Sequence, residues 1–288
     1  MIVSASYRTD IPAFHARWFL ARLQAGWCQV RNPYGGKPSR VSLLPDDVDA
    51  IAFWTRNMAP LLPALDDIRA KFPFTVSFTV TGYPRALEAA TLPAERAIVQ
   101  IRELAQRFGQ RAVVWRYDPI VFSSLTEADW HRRNFTTLAA ALRGAVDEVV
   151  VSFMQPYRKS ARNLDTAAKA HGFDWRDPPD DEKRAMLSEL AGIAAGYGMR
   201  MSLCAQPHLS IDGIDAARCI DVERLSDVAG RDIAAREKGN RIGCACAQSR
   251  DIGAYDSCAQ ACAYCYAVSS PGAAQKKIAA LDPNAAML

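Results

Sequence analysis

Phe74-Thr75-Val76-Ser77-Phe78-Thr79-Val80 is a run of β-branched and aromatic residues with the composition of a strand. A helical pattern follows over 93–108 and ends at Gly109, and a second apolar run occupies 112–116. Strand, helix and strand at this spacing form a βαβ unit, whose crossover makes the two strands run parallel. The same alternation extends in both directions. Upstream, 2–6 reads as a strand, 12–23 as a helix with Pro12 in its first turn and Gly26 as its C-terminal cap, 28–31 as a weak strand, 50–54 as a strand and 59–71 as a helix. Downstream, Thr126 is a candidate cap for a helix running to Arg143, and 148–153 reads as a strand. A polar loop then leads to a helix over 179–197, with Asp180, Asp181 and Glu182 in its first turn, and to a last clear strand at 199–204.

About seven such units predict an α/β fold with right-handed crossovers, a (β/α) barrel, complete or partial. The alternative is a doubly wound open sheet, but the chain has neither a Gly-x-Gly-x-x-Gly fingerprint nor a phosphate loop. The expected organisation is a barrel body at 1–226 and a cysteine-rich, metal-binding C-terminal segment at 227–288 packed on its rim. A chain of 288 residues, half of them hydrophobic, suits one such barrel. A formal charge of +4 without a block of basic residues gives only a faint case for nucleic acid. The first six residues lack the basic region of a secretory signal, and the long uncharged stretch at 257–275 is rich in Cys, Ser, Gly, Pro and Gln, so a cytoplasmic protein without membrane spans is expected. Eight cysteines in a reducing compartment argue for metal rather than disulfides.

Seven of the eight fall in the last third of the chain. Cys258, Cys262 and Cys265 have the spacing C-x3-C-x2-C, and three thiolates so close together can hold three corners of a [4Fe-4S] cluster with the fourth iron left open. Structural zinc, normally closed by four ligands, is the alternative. Cys204, Cys219, Cys244 and Cys246 form a second group, suited to a second cluster or a closed zinc site, and the one-residue gap in Cys244-Ala245-Cys246 is tight for two ligands to one metal. Cys28 stands alone and reads as a buried thiol.

Polar and aromatic clusters recur where strands end: Tyr7-Arg8-Thr9-Asp10, Arg31-Asn32-Pro33, Trp54-Thr55-Arg56-Asn57, Thr79-Val80-Thr81-Gly82-Tyr83, Trp115-Arg116-Tyr117-Asp118-Pro119, Gln155-Pro156-Tyr157-Arg158-Lys159 and Gln206-Pro207-His208. In a parallel barrel that rim carries catalysis. Arg8, Arg56 and Arg116 are candidate forks for a carboxylate, Asp10 and Asp118 candidate acceptors, Asn57 a further polar candidate, and Lys159 a candidate general acid. Taken singly, each is equally a turn signal or a solvated charge; as a set they predict one cavity. His15 and His131 sit in helical patterns and His171 in a loop, which leaves His208 as the histidine able to approach a metal.

The C-x3-C-x2-C spacing, with Tyr264 immediately before the third cysteine, resembles the cluster motif of radical S-adenosylmethionine enzymes, and Tyr264-Cys265-Tyr266 is similar to their spore photoproduct lyase branch. That resemblance implies a cofactor, S-adenosylmethionine, chelated by the open iron and cleaved on one-electron reduction to a carbon radical, with an electron donor and a substrate of unknown identity. It also implies cofactor contacts near Arg8, Asp10 and Tyr264. The superfamily carries its motif after the first barrel strand, whereas here it follows the last; in a closed barrel those two strands are neighbours. The motifs Ser4-Ala5-Ser6-Tyr7-Arg8-Thr9-Asp10-Ile11-Pro12, Phe53-Trp54-Thr55-Arg56-Asn57, Trp115-Arg116-Tyr117-Asp118-Pro119 and Asp251-Ile252-Gly253 through Cys265-Tyr266-Ala267 together resemble a bacterial family catalogued as domain of unknown function 1848. A reading from a different class is a non-catalytic zinc or iron–sulfur protein, its metal a structural staple and its rim a surface for a partner or nucleic acid.

Overall fold

The structure, a computed structural model, describes residues 1–32 and 35–288. One parallel sheet organises the chain: β1 (Ile2–Ala5), β2 (Ala50–Thr55), β3 (Phe74–Thr79), β4 (Val113–Ile120), β5 (Glu148–Phe153), β6 (Arg200–Leu203), β7 (Asp215–Ala216) and β8 (Ser249–Asp251). Hydrogen bonding runs in the order β8-β1-β2-β3-β4-β5-β6-β7, with every pair parallel. Each strand thus lies beside its sequence neighbour, and the last lies beside the first. A doubly wound sheet reverses its order at a switch point; this order has no reversal. β7 and β8 stand at the two ends, and among the described residues no ladder joins them.

The two faces of the sheet differ in chemistry because side chains alternate along a strand. One face carries Val3, Ile51, Phe53, Phe74, Val76, Phe78, Val113, Trp115, Tyr117, Val149, Val151 and Phe153, all in the main apolar core. The helices that pack there are α1 (Ile11–Phe14), α2 (Ala16–Ala25), α3 (Leu65–Arg69), α4 (Ala94–Phe108), α5 (Ala128–Leu142) and α7 (Asp180–Gly196); α6 (Arg158–His171) puts Leu164 into a separate cluster with Tyr83 and Tyr264, and α8 (Val222–Ala229) and α9 (Pro271–Ala279) follow. The other face is mixed: Ser4, Ser77, Arg116, Asp118, Glu148, Ser152 and Ser202 stand there among Ala52, Trp54, Val114 and Val150. A buried sheet face with charge on it must supply partners for that charge. Glu148 accepts from Ser202 Oγ at 2.6 Å and from Arg224 Nη2 at 2.7 Å, so α8 seals the N-terminal side of the strands.

Several local expectations are corrected. The run at 28–31 does not join the main sheet; Trp27–Val30 pairs antiparallel with Ser39–Ser42 in a separate hairpin, and Pro33 of the neighbouring cluster lies outside the described residues. Pro60 and Pro63 lack the N–H that a helix at 59–71 needs, and the stretch forms a 3-10 turn at Leu62–Ala64 before α3. Thr126 does not cap α5, because its hydroxyl donates to Val121 O at 2.7 Å. The loop expected after β5 contains α6, a helix whose buried positions are Ser160 and Leu164, too few to show an apolar period. No helix among the described residues is long and apolar enough to cross a membrane.

His131 is held in the core, its Nδ1 facing Tyr117 Oη at 2.8 Å and its Nε2 facing Val121 O at 3.0 Å. Burial pulls its pKa down to about 4, below the 6.5 of a free imidazole. Between those values the unfolded chain binds a proton that the folded chain refuses, so stability is fully present above about 6.5 and drains away as the pH falls toward 4. The loss should approach about 3 kcal/mol. His131→Gln keeps polar partners but cannot titrate, and denaturant titrations between those pH values should show a flatter acid limb for the variant.

Candidate functional site

Because the strands are parallel, the segments that leave their C-terminal ends gather on one edge, and β8 delivers the C-x3-C-x2-C loop beside the segment that leaves β1. The joint between them is Asp251. Its carboxylate accepts from Ser4 Oγ at 2.9 Å, Ser6 Oγ at 2.8 Å, Tyr7 N at 3.1 Å, Arg8 Nε at 2.8 Å and Gly253 N at 3.0 Å. Gly253 has to be glycine, since a Cβ there would lie 2.0 Å from Ser6 Oγ. Thr9 Oγ1 donates to Ser257 O at 2.9 Å, and His15 Nε2 faces the same carbonyl at 2.7 Å, which pins the residue before Cys258. Arg8 is therefore engaged in a buried ion pair with Asp251 rather than presented as an open fork.

Asp10 is equally occupied. It caps α1 through Ala13 N at 3.1 Å and accepts from Thr55 Oγ1 at 2.6 Å, Arg56 N at 2.9 Å and Gln260 Nε2 at 2.8 Å. Burial raises its pKa, against the lowering effect of these donors. Asn57 Oδ1 accepts from Ala59 N at 3.1 Å and Gln100 Nε2 at 3.0 Å, so it shapes the turn after β2.

Arg56 lies beneath the cysteine loop. It pairs with Glu88 at 2.8 Å and donates to Tyr264 Oη at 2.7 Å and Thr81 Oγ1 at 3.2 Å, while Tyr264 Oη also donates to Glu88. The backbone of 84–91 zips onto the loop through Ala263 N to Leu87 O at 2.9 Å and Ala90 N to Gln260 O at 3.2 Å. Tyr264 thus anchors the third cysteine to β2 and to the segment after β3. Burial works against the Arg56 charge, but Glu88, Tyr264 and the thiols of Cys262 and Cys258 hold its pKa above the ordinary value. Burial pushes the Cys262 thiol up to about 12 despite Arg56, and raises Cys258 and Cys265 as well. Each of the three thiols is within electrostatic reach of another.

The second cysteine group lies on the mixed face of the sheet. Cys204 follows β6, Cys219 follows β7, and Cys244 and Cys246 precede β8. Cys204 Sγ and Cys219 Sγ are 3.8 Å apart. Arg116 Nη1 donates to Cys219 Sγ at 2.8 Å and also pairs with Asp118, which accepts from Ser152 Oγ. Arg116 lies 4.8 Å from the centre of the Trp54 ring, and Tyr7 meets that ring edge-on at 6.5 Å. Lys159 sits on the other side, 6.0 Å from the Tyr255 ring and within electrostatic reach of the Cys265 thiol. Arg56 accordingly serves the first cysteine group and Arg116 with Asp118 the second. His208 lies in the exposed turn Pro207–Leu209, and its backbone carbonyl accepts from Arg184 at 2.7 Å. Among the described residues, no three His, Cys, Asp or Glu side chains are grouped so as to hold one metal ion.

Glu88, Gln260, Trp54 and Arg241 have no assigned role in the sequence reading. Glu88 sits in a featureless stretch, and nothing in a single sequence distinguishes a buried carboxylate from a solvated one. Fold and site define the class: an α/β protein whose parallel strands hold two groups of cysteines, each beside a buried arginine. The chain belongs to the family described as a domain of unknown function (DUF1848), which matches residues 2–267. No match to the chain is found among curated proteins.

Proposed function

We propose that the protein is an iron–sulfur enzyme of the radical S-adenosylmethionine type, built on a partial (β/α) barrel, with Cys258, Cys262 and Cys265 as the ligands of a [4Fe-4S] cluster. The observation that carries this reading is that the loop bearing the three thiols leaves a strand hydrogen-bonded to β1. A motif at the end of the chain thereby reaches the edge where a first-strand motif would lie. The cyclic strand order, open only between β7 and β8, supports the barrel. The donor set fits the group: three thiols with a buried guanidinium behind them to offset thiolate charge. A cluster does not ask for three ligands around one point, because each thiolate sits on its own iron.

A cluster held by Cys258, Cys262 and Cys265 would supply the one-electron chemistry that turns S-adenosylmethionine into a source of a carbon radical, given a low-potential electron donor. The chain's own residues bind and orient. Tyr264, locked by Arg56 and Glu88, fixes the loop; Arg8 and Asp10, already engaged, hold the neighbouring segments rather than the cofactor; Lys159, on the Cys265 side, is the candidate to meet a carboxylate or substrate. The rival reading, a non-catalytic metal protein whose rim binds a partner or nucleic acid, draws support from the pairing of Arg8, Arg56 and Arg116 with Asp251, Glu88 and Asp118. Ligand count separates them, three protein ligands for the enzyme and four for a staple. Protein purified without oxygen should contain iron and acid-labile sulfide, and a variant with Cys258, Cys262 and Cys265 changed to Ala should contain neither. Stoichiometric zinc without sulfide in the unaltered protein overturns the proposal.

A further inference from the structure

The open seam of the sheet, between β7 and β8, coincides with the second cysteine group. Cys219 comes just after β7 and Cys246 just before β8, and one backbone hydrogen bond, Ala247 N to Ile220 O at 2.9 Å, bridges the two edges there. Cys204, at the end of β6, and Cys244, in the loop before β8, complete the group. Thiol contacts run from Cys204 to Cys219, from Cys219 to Cys246 and from Cys246 to Cys244. We propose that Cys204, Cys219, Cys244 and Cys246 bind one zinc ion that staples the two open edges of the sheet, independently of the cluster proposed above.

The separation of Cys204 and Cys219 suits a single ion. Tetrahedral zinc with sulfur at about 2.3 Å has its ligands about 3.8 Å from one another, and Cys204 Sγ stands 3.8 Å from Cys219 Sγ. Thiolates on separate irons of a cubane stand further apart. Among the described residues no three of these side chains converge on one point, so closing the tetrahedron needs the four thiols to turn inward, Cys244 toward Cys204 among them. The loop between α8 and β8 is fitted closely around Cys244, since a Cβ on Gly239 would lie 2.1 Å from the Cys244 carbonyl oxygen.

Charge and hydrogen bonding point the same way. Zinc with four thiolates carries two net negative charges. Two guanidiniums face the sulfurs, Arg116 Nη1 on Cys219 at 2.8 Å and Arg241 Nη2 on Cys204 at 3.6 Å, with Asp118 the acid beside them. The indole Nε1 of Trp54 is buried without an acceptor, and Trp54 packs in the same apolar cluster as Cys219, Cys244 and Cys246. A buried N–H without a partner costs about 1–3 kcal/mol, and a zinc-bound thiolate is the acceptor that this pocket offers.

The test is metal analysis of the full chain purified without chelator. About one zinc per chain is expected, retained when Cys258, Cys262 and Cys265 are all changed to Ala and lost in Cys204→Ser with Cys219→Ser. Because the serine variant can fail to fold, cobalt exchange into the unaltered protein gives a second readout, and the absorption of a tetrahedral cobalt–thiolate centre is expected. Proteolysis within 230–247 should quicken after zinc is stripped. Iron and sulfide persisting in the triple alanine variant make the group a second cluster and overturn the proposal, as does unaltered protein that neither holds zinc nor takes up cobalt. Absence of iron from the unaltered protein, with zinc still present, overturns only the enzyme reading.

Discussion

Asp251→Ala is expected to cost about 3–5 kcal/mol of stability, because it leaves the buried Arg8 guanidinium without its counter-charge. Arg8 and Asp251 are each only 6% exposed at the side chain, so water cannot take over the missing partner. Ser4, Ser6, Tyr7 N and Gly253 N lose the same acceptor at once. Ser4→Ala, which removes one neutral donor and leaves the ion pair, should cost about 1 kcal/mol. Thermal unfolding followed by circular dichroism should put the Asp251→Ala midpoint roughly 10 °C below that of the unaltered protein. The same change loosens the side-chain joint between β8 and the segment after β1, so iron loading of the loop, if the proposed cluster forms there, should fall with it. An Asp251→Ala protein as stable as Ser4→Ala would mean that this joint does not hold the edge together.

Much of the fold was legible because its strands are periodic. The stretches at 74–80, 112–116 and 148–153 are apolar runs between clear helix signals, and all three are strands of the main sheet. β7 and β8 were not legible: Asp215–Ala216 and Ser249–Asp251 are short and polar, and they exist as strands because β6 and β1 offer open edges. The sidedness of the sheet was also hidden. Alternation shows in β4, where Trp115 and Tyr117 face the core and Arg116 and Asp118 face the other way, but only the assembled sheet gathers such residues on one face.

At the candidate site the cysteines stood out by spacing, and the two groups read from sequence lie in two places. The rim arginines were a different matter. Arg8, Arg56 and Arg116 look alike in sequence, yet two of them are paired with acids that no local pattern announces, Asp251 243 residues away and Glu88 in an unremarked stretch, while Arg116 pairs with Asp118 two residues on along the same face of β4. The sequence predicts one cavity for these residues; in the structure Arg8 pairs with Asp251, Arg56 with Glu88 at the first cysteine group and Arg116 with Asp118 at the second.

The second large effect concerns Cys262. Its backbone bridges Glu88, and its thiol is the one that feels Arg56 most directly, so it joins the loop to the charged network beneath. In the proposed cluster, Cys262→Ala would remove one of three protein ligands with no fourth to spare. Cofactor cleavage in this variant should fall below detection, while the Arg56–Glu88–Tyr264 network and the fold stay intact by circular dichroism.

Electron paramagnetic resonance of the reduced, iron-loaded protein, recorded with and without S-adenosylmethionine, tests the open iron most directly. The spectrum should shift when the cofactor is added, 5′-deoxyadenosine should appear on chromatography even without substrate, and Cys262→Ala should show neither change. An unchanged spectrum and no deoxyadenosine from fully loaded protein would contradict an open, cofactor-binding iron and leave the three thiolates as a structural or electron-transfer centre.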